Sequence, residues 1–187
     1  MFKTLTDGCN PTRGSKFSAC VDLYASEDMV IGAGETKLVG LGIAIDIKDL
    51  RFALIDKGEI DSPMDEDGTL LDADMADVYT RLFCESHYLQ LMLRSSLSKE
   101  LVIANGVGVI DLDYKDEIKI RLHNPIKIRG LNANAKGRGL YEHFMDCEFK
   151  INKGDKIAQI TLLEHKGYLF GIDSKEERTG GFGSSGK

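Results

Sequence analysis

The stretch Asn105-Gly-Val-Gly-Val-Ile-Asp-Leu-Asp-Tyr-Lys-Asp-Glu-Ile-Lys-Ile120 decides how this chain is read. Val107, Val109 and Ile110 make an apolar approach, Asp111 to Glu117 a polar bend, and Ile118 and Ile120 an alternating return. That pattern predicts two strands joined as a β-hairpin. Residues two apart on a strand point to one side, so Asp111 and Asp113, which bracket Leu112, are expected to face one cavity beside Tyr114. Taken by itself, Asp113-Tyr-Lys-Asp116 reads better as an ordinary polar turn opened by Asp111. The surrounding chain changes that balance.

Upstream, Tyr88 to Leu93 alternates as a strand and delivers Arg94-Ser-Ser-Leu-Ser98. A guanidinium fork followed by two hydroxyls and the N–H groups of a turn suits an anion. The same residues also read as a helix N-cap, Ser95 or Ser96 with Glu100 downstream. Downstream, Arg121 to Asn124 closes a strand and Cys147 to Ile151 forms another. Lys153-Gly-Asp-Lys156 then turns into a strand over Ile157 to Leu163. Gln159 lies amid its apolar residues, and a buried amide must bond either backbone or a ligand.

At the N-terminal side, Asp22 lies between Val21 and Leu23, and a strand puts it on the face opposite both. A solvent-facing aspartate is the plain alternative. Met29 to Ile31, Thr36 to Leu41 and Ile43 to Ile47 read as successive short strands, punctuated by Gly32, Gly34, Gly40 and Gly42. Many short strands with frequent turns predict an all-β sandwich or barrel.

Two segments break the rhythm. Residues 48 to 87 contain the acidic Asp61-Ser-Pro-Met-Asp-Glu-Asp-Gly68 and a helical pattern from Leu70 to Phe83. Asp65, Asp67 and Gly68 are spaced as in a calcium loop, but the later Glu ligand is misplaced, so a solvated acidic loop is expected. Pro125 to Phe144 carries Lys127, Arg129, Lys136 and Arg138 among glycines and asparagines, an exposed basic loop. The tail, 176–187, embeds Arg178 and Phe182 among glycines, which permit close approach of backbone N–H groups to an anion. A disordered terminus is the competing reading of such a Gly/Ser tail.

A chain of 187 residues, 42% hydrophobic, supports one domain with a sizeable core. Its net charge of -6 argues against binding along a nucleic-acid backbone, yet leaves room for a small anion met by a few focused donors. Cys9, Cys20, Cys84 and Cys147 show no paired spacing, so reduced thiols are expected in place of zinc ligands or disulfides. With no 18-residue apolar run and no secretory pattern behind Met1-Phe2-Lys3-Thr4, the expectation is a soluble cytoplasmic protein away from membranes.

Five polar patches therefore follow in order: Ser18-Ala-Cys-Val-Asp-Leu23, Arg94-Ser-Ser-Leu97, Gly108-Val-Ile-Asp-Leu-Asp-Tyr114, Gly154-Asp-Lys-Ile-Ala-Gln159 and Arg178-Thr-Gly-Gly-Phe-Gly-Ser-Ser-Gly186. This series closely resembles the five motifs of the trimeric dUTPase family, apart from inserts near 48–87 and 125–144. The resemblance implies one domain over 1–187, a distorted β-jelly-roll subunit with a small, partly helical insert and a flexible arm over 174–187. It implies a homotrimer with shared sites that cleaves dUTP to dUMP and pyrophosphate with Mg2+, supplying dUMP and keeping uracil out of DNA.

Residue by residue, Asp111 matches the family's general base, which activates water for attack on the α-phosphorus. Asp22 matches the acid that holds the metal through water. Asn105 and backbone groups of Val109, Ile110 and Lys119 match the uracil reader, and Tyr114 the ring that packs on deoxyribose and excludes a 2′-hydroxyl. Arg94, Ser95, Ser96 and Gln159 match phosphate contacts. Arg178, Phe182, Gly183, Ser184 and Ser185 match the closing arm, with Phe182 stacked on uracil. The chain departs from the pattern where Cys20, Asp116 and Ser96 replace glycines, and where Thr179 alone separates Arg178 from Gly180. The inserts are expected to offer a surface to a regulatory protein partner. Competing readings are a dCTP deaminase, which shares the Arg-Ser-Ser-Leu segment, a regulatory trimer switched by dUTP, and a plain β-sandwich binding module.

Overall fold

Short alternating runs separated by glycine turns become twelve strands in the computed structural model, which describes residues 1–47, 55–58, 73–126 and 147–172. In chain order they are β1 (Phe2–Thr4), β2 (Thr12–Arg13), β3 (Val21–Tyr24), β4 (Met29–Ile31), β5 (Thr36–Gly40) and β6 (Ile43–Ile45). After helix α1 (Ala73–Ser86) come β7 (His87–Leu93), β8 (Val102–Ile103), β9 (Gly108–Asp111), β10 (Lys119–His123), β11 (Phe149–Ile151) and β12 (Lys156–Glu164). A 3-10 turn, Gly167–Phe170, follows.

Every pairing is antiparallel. The largest sheet runs β2-β3-β12-β7-β9, a second runs β5-β10-β8, and β1-β6 and β11-β4 form two-stranded ribbons. One buried cluster draws on all of them: Leu23, Leu89, Leu91 and Ile160 from the first sheet, Val39, Ile120 and Leu122 from the second, Ile43 from β6, and Ile31 and Ile151 from the β4–β11 ribbon. Period-2 burial supplies that cluster. Alternate residues of β9 and β10 point inward, and burying them is what holds the strands in register.

The hairpin expected between β9 and β10 does not form. β9 pairs with β7, setting Asp111 opposite Tyr88 and Gly108 opposite Leu91, whereas β10 pairs with β5 and β8. The intervening turn carries the chain from one sheet to another. Its Leu112, Tyr114 and Ile118 are buried, so these residues serve the core in place of a tight reversal. Alternation reveals that strands exist, but it does not reveal their partners.

The helix expected over 70–83 is present over Ala73–Ser86. Its last turn is held by the Ser86 hydroxyl, which donates to the carbonyls of Leu82 (3.0 Å) and Phe83 (3.2 Å). Phe83 is buried, and its ring stacks on His87 with centroids 3.8 Å apart. The insert is thereby anchored in the core at its junction with β7. Residues 95–100 form successive turns, so the helix N-cap reading of Ser95 and Ser96 does not hold. All four cysteines are free thiols, and burial pushes the Cys9 thiol above its ordinary value. The acidic loop 61–68, the basic residues Lys127, Arg129, Lys136 and Arg138, and the arm residues Arg178, Phe182, Gly183, Ser184 and Ser185 lie outside the described residues.

Candidate active site

Two groups of the expected residues come together, on separate parts of the chain. The first forms across the largest sheet, where Asp22 on β3 faces Gln159 on β12, which faces Met92 on β7. Directly opposed residues share a face, so these side chains make a row. Arg94 lies two residues beyond Met92 and reaches back across β12 to Asp22, Nε to Oδ1 at 3.1 Å. Lys156 approaches the other carboxylate oxygen at 3.2 Å. The β12 register shifts between Lys156 and Ala158, an irregularity of the kind that re-aims a side chain.

The Asp22 side chain is only 12% exposed, so the plain solvent-facing reading fails. Both carboxylate oxygens are engaged by cations, as a nearly covered charge requires. The hydrogen bond to Asp22, helped by Tyr24, holds the Lys156 amine above its ordinary value. Sequence reasoning did not single out Lys156. Its signal was a cation in the fourth polar patch, directly after the Gly154 turn. Gln159 is half-buried and makes no side-chain hydrogen bond within the described residues, so its amide does not bridge backbone there. Ser95 and Ser96 are exposed on the turn after Arg94.

The second group surrounds a pocket of about 170 Å3 bordered by β9 and β10. Leu91, Asn105, Val109, Ile110, Tyr114 and Lys119 are among its lining residues. The volume falls below the ~300–1,000 Å3 of pockets that enclose drug-sized ligands, and it suits one ring of a larger molecule. β9 is the last strand of its sheet. An edge strand presents backbone donors and acceptors, which can read the polar edge of a planar base. Gly106 makes the preceding turn with φ of 75°, a left-handed conformation that suits glycine. Tyr114 is buried, its N–H donating to the Asp111 carbonyl (3.1 Å) and its hydroxyl to the Glu117 carbonyl (3.3 Å).

Asp111 and Asp113 are exposed, and neither lines this pocket, contrary to the expected shared cavity. The missing hairpin explains the difference, because Asp111 ends β9 while Asp113 lies in the crossing turn. Asp22, Arg94, Ser95, Ser96 and Gln159 are also absent from the lining. Among the described residues no three His, Cys, Asp or Glu side chains gather as a metal cage.

No family model matches the chain. Along its length, however, it is 31% identical over 183 residues to the deoxyuridine 5′-triphosphate nucleotidohydrolase of Debaryomyces hansenii, covering 95% of this chain and 80% of that one. The same identity over 182 residues relates it to the Kluyveromyces lactis enzyme, covering 95% and 86% of the two chains. The chain belongs to the deoxyuridine 5′-triphosphate nucleotidohydrolase family.

Solved dUTPases share its fold. The Streptococcus mutans dUTPase superposes with a TM-score of 0.53 at 20% identity, covering 92% of this chain and 98% of that one. A dUTPase of Staphylococcus aureus phage phi11, in which a structural Mg(II) ion is coordinated, gives 0.54 at 18% identity with 98% of each chain covered. The jelly-roll-like β fold expected of the dUTPase family is thus the fold present.

Proposed function

We propose that this protein hydrolyses dUTP to dUMP and pyrophosphate. The observation that carries the reading is the ring-sized pocket at the β9 edge, in a chain that aligns over 95% of its length with a dUTP nucleotidohydrolase. Asn105 and the backbone of Val109, Ile110 and Lys119 read the uracil edge, and Tyr114 packs on the deoxyribose. The carboxylate of Asp111, next to the pocket residue Ile110, takes the proton of a water whose oxygen bonds to the α-phosphorus. The bond from that phosphorus to the β-phosphate bridge breaks, and pyrophosphate leaves.

Arg94, Ser95, Ser96 and Gln159 receive the phosphates, and Lys156 adds a cation to that row. Asp22 would hold Mg2+ through water, and the ion would supply further charge neutralisation on the triphosphate. Arg178, Phe182, Gly183, Ser184 and Ser185 close over the nucleotide and exclude bulk water. None of the phosphate-row residues lines the base pocket, which supports a homotrimer whose sites are completed between subunits.

Pyrophosphate release from dUTP, dCTP, dTTP and UTP with magnesium tests the proposal. Turnover selective for dUTP is expected, falling about 10²–10⁴-fold in Asp111→Asn. Ammonia from dCTP without pyrophosphate would assign the chain to the deaminases instead.

A further inference from the structure

Because β9 and β10 do not pair with each other, no hairpin ladder fixes the turn that carries Tyr114. Something else must set the depth of its ring in the pocket wall. The Tyr114 hydroxyl donates to the backbone carbonyl of Glu117 at 3.3 Å. The Glu117 carboxylate, in turn, accepts the N–H of Gly42 at 2.9 Å and lies 3.6 Å from the Lys119 amine. Gly42 belongs to the bend between β5 and β6, whose neighbours bond the same turn: Leu41 donates to the Ile118 carbonyl (3.0 Å) and Ile118 to the Ile43 carbonyl (2.8 Å).

The bend is shaped to receive this carboxylate. A Cβ on Gly40 would stand 2.5 Å from Glu117 Oε1, so only glycine leaves the acid its place. Gly42 has φ of 63°, a left-handed conformation that favours glycine at the position from which its N–H meets Oε1. Glu117 therefore joins three things: the tyrosine of the pocket wall, a lysine of the same wall, and the rigid β5–β6 bend.

We infer that Glu117 is a positioning residue for sugar discrimination, holding Tyr114 at the depth where its ring rejects a ribose 2′-hydroxyl. The inference rests on the proposed role of Tyr114. A ring that sits even slightly off its productive geometry leaves room for the extra oxygen.

The test compares kcat/KM for dUTP and UTP in Glu117→Ala, Glu117→Gln, Glu117→Asp, Tyr114→Phe and Tyr114→Ala, each in the full chain. Glu117→Ala is expected to lower the dUTP-over-UTP ratio by about tenfold, mainly by improving UTP. Glu117→Gln keeps an oxygen acceptor for Gly42 and is expected to restore the wild-type ratio. Glu117→Asp is one methylene short of Gly42 and should share the defect of Ala, so it decides the matter if the Ala variant does not fold. Tyr114→Phe, which loses only the hydroxyl, should lower the ratio in the same direction.

If Tyr114→Ala leaves the ratio unchanged, the proposed role of Tyr114 is wrong. If Tyr114→Ala relaxes the ratio while Glu117→Ala, or Glu117→Asp in its stead, does not, the brace is wrong and the role of Tyr114 survives. Equal losses on dUTP and UTP would reduce Glu117 to a stabilising group and overturn the inference.

Discussion

Asp22 shows how a single carboxylate can be both covered and poised. Arg94 and Lys156 each take one of its oxygens, so its charge is matched before any ligand arrives. In the proposed mechanism an incoming triphosphate would compete for the same two cations, and the released Asp22 carboxylate would then be the group that holds magnesium. Asp22→Asn keeps the shape and removes the charge, so the magnesium concentration for half-maximal dUTP hydrolysis is expected to rise. A metal titration that superposes on wild type would remove Asp22 from metal anchoring. A stability signature follows as well. Lys156 is held above its ordinary value of 10.5, first by the hydrogen bond from its amine to Asp22. A raised folded value means that its contribution is complete below 10.5 and is lost as pH rises through the folded value. Denaturant midpoints of wild type and Asp22→Asn should differ most below that window and draw closer above it, where the Arg94 contact alone remains. Parallel curves throughout the alkaline range would deny the linkage.

Among the elements, β9 carries the largest share of the proposed site on four residues, and Gly108 fixes how closely it lies on β7. A Cβ on Gly108 would stand 2.9 Å from the Leu91 Cβ, inside the closest approach of real side chains. Gly108→Ala is therefore expected to cost about 1–3 kcal/mol by overpacking, measured by urea denaturation. Since Gly108 and Leu91 also line the pocket, KM for dUTP should rise with it. An unchanged stability would show that the strands separate freely there. Elements like this were legible in the sequence because alternation and burial share one period: β4, β5, β6, β7, β10 and β12 stand close to where their apolar residues alternate. β2 and β8 span two residues each, too short to show a period at all. Strand partners were not legible, since pairing β9 with β7 in place of β10 is decided by residues distant in sequence. Asp22 and Arg94 drew notice because each interrupts an apolar pattern with a polar group of specific chemistry, whereas Asn105 and Tyr114 were assigned through the resemblance to the dUTPase motifs. Lys156 was missed because a lysine at a turn ordinarily faces water, and only the fold reveals the aspartate beneath it.

The whole molecule raises a question that no single residue answers: within the described residues, no member of the proposed phosphate row lines the proposed base pocket. Asn105 and Tyr114 line the pocket, with Asp111 next in the chain to its Ile110, and Asp22, Arg94 and Gln159 form the row. In the proposed homotrimer each pocket would face the row of a neighbour, so a site would fail if either contributing chain were defective. Asp111→Asn damages the pocket half alone, and Arg94→Ala damages the row alone. Co-expressed in equal amounts, these two inactive variants form mixed rings in which some pockets come from the Arg94 variant and their facing rows from the Asp111 variant. Random assembly makes about one site in four intact, so about a quarter of wild-type activity is expected, although neither variant is active by itself. The measurement is pyrophosphate release by the co-purified mixture, with each variant carrying a different tag. Activity no greater than the sum of the two separate variants, in rings shown to contain both tags, would place each complete site within one chain. The arm residues beyond position 172 would then have to bring the two halves together inside a single subunit.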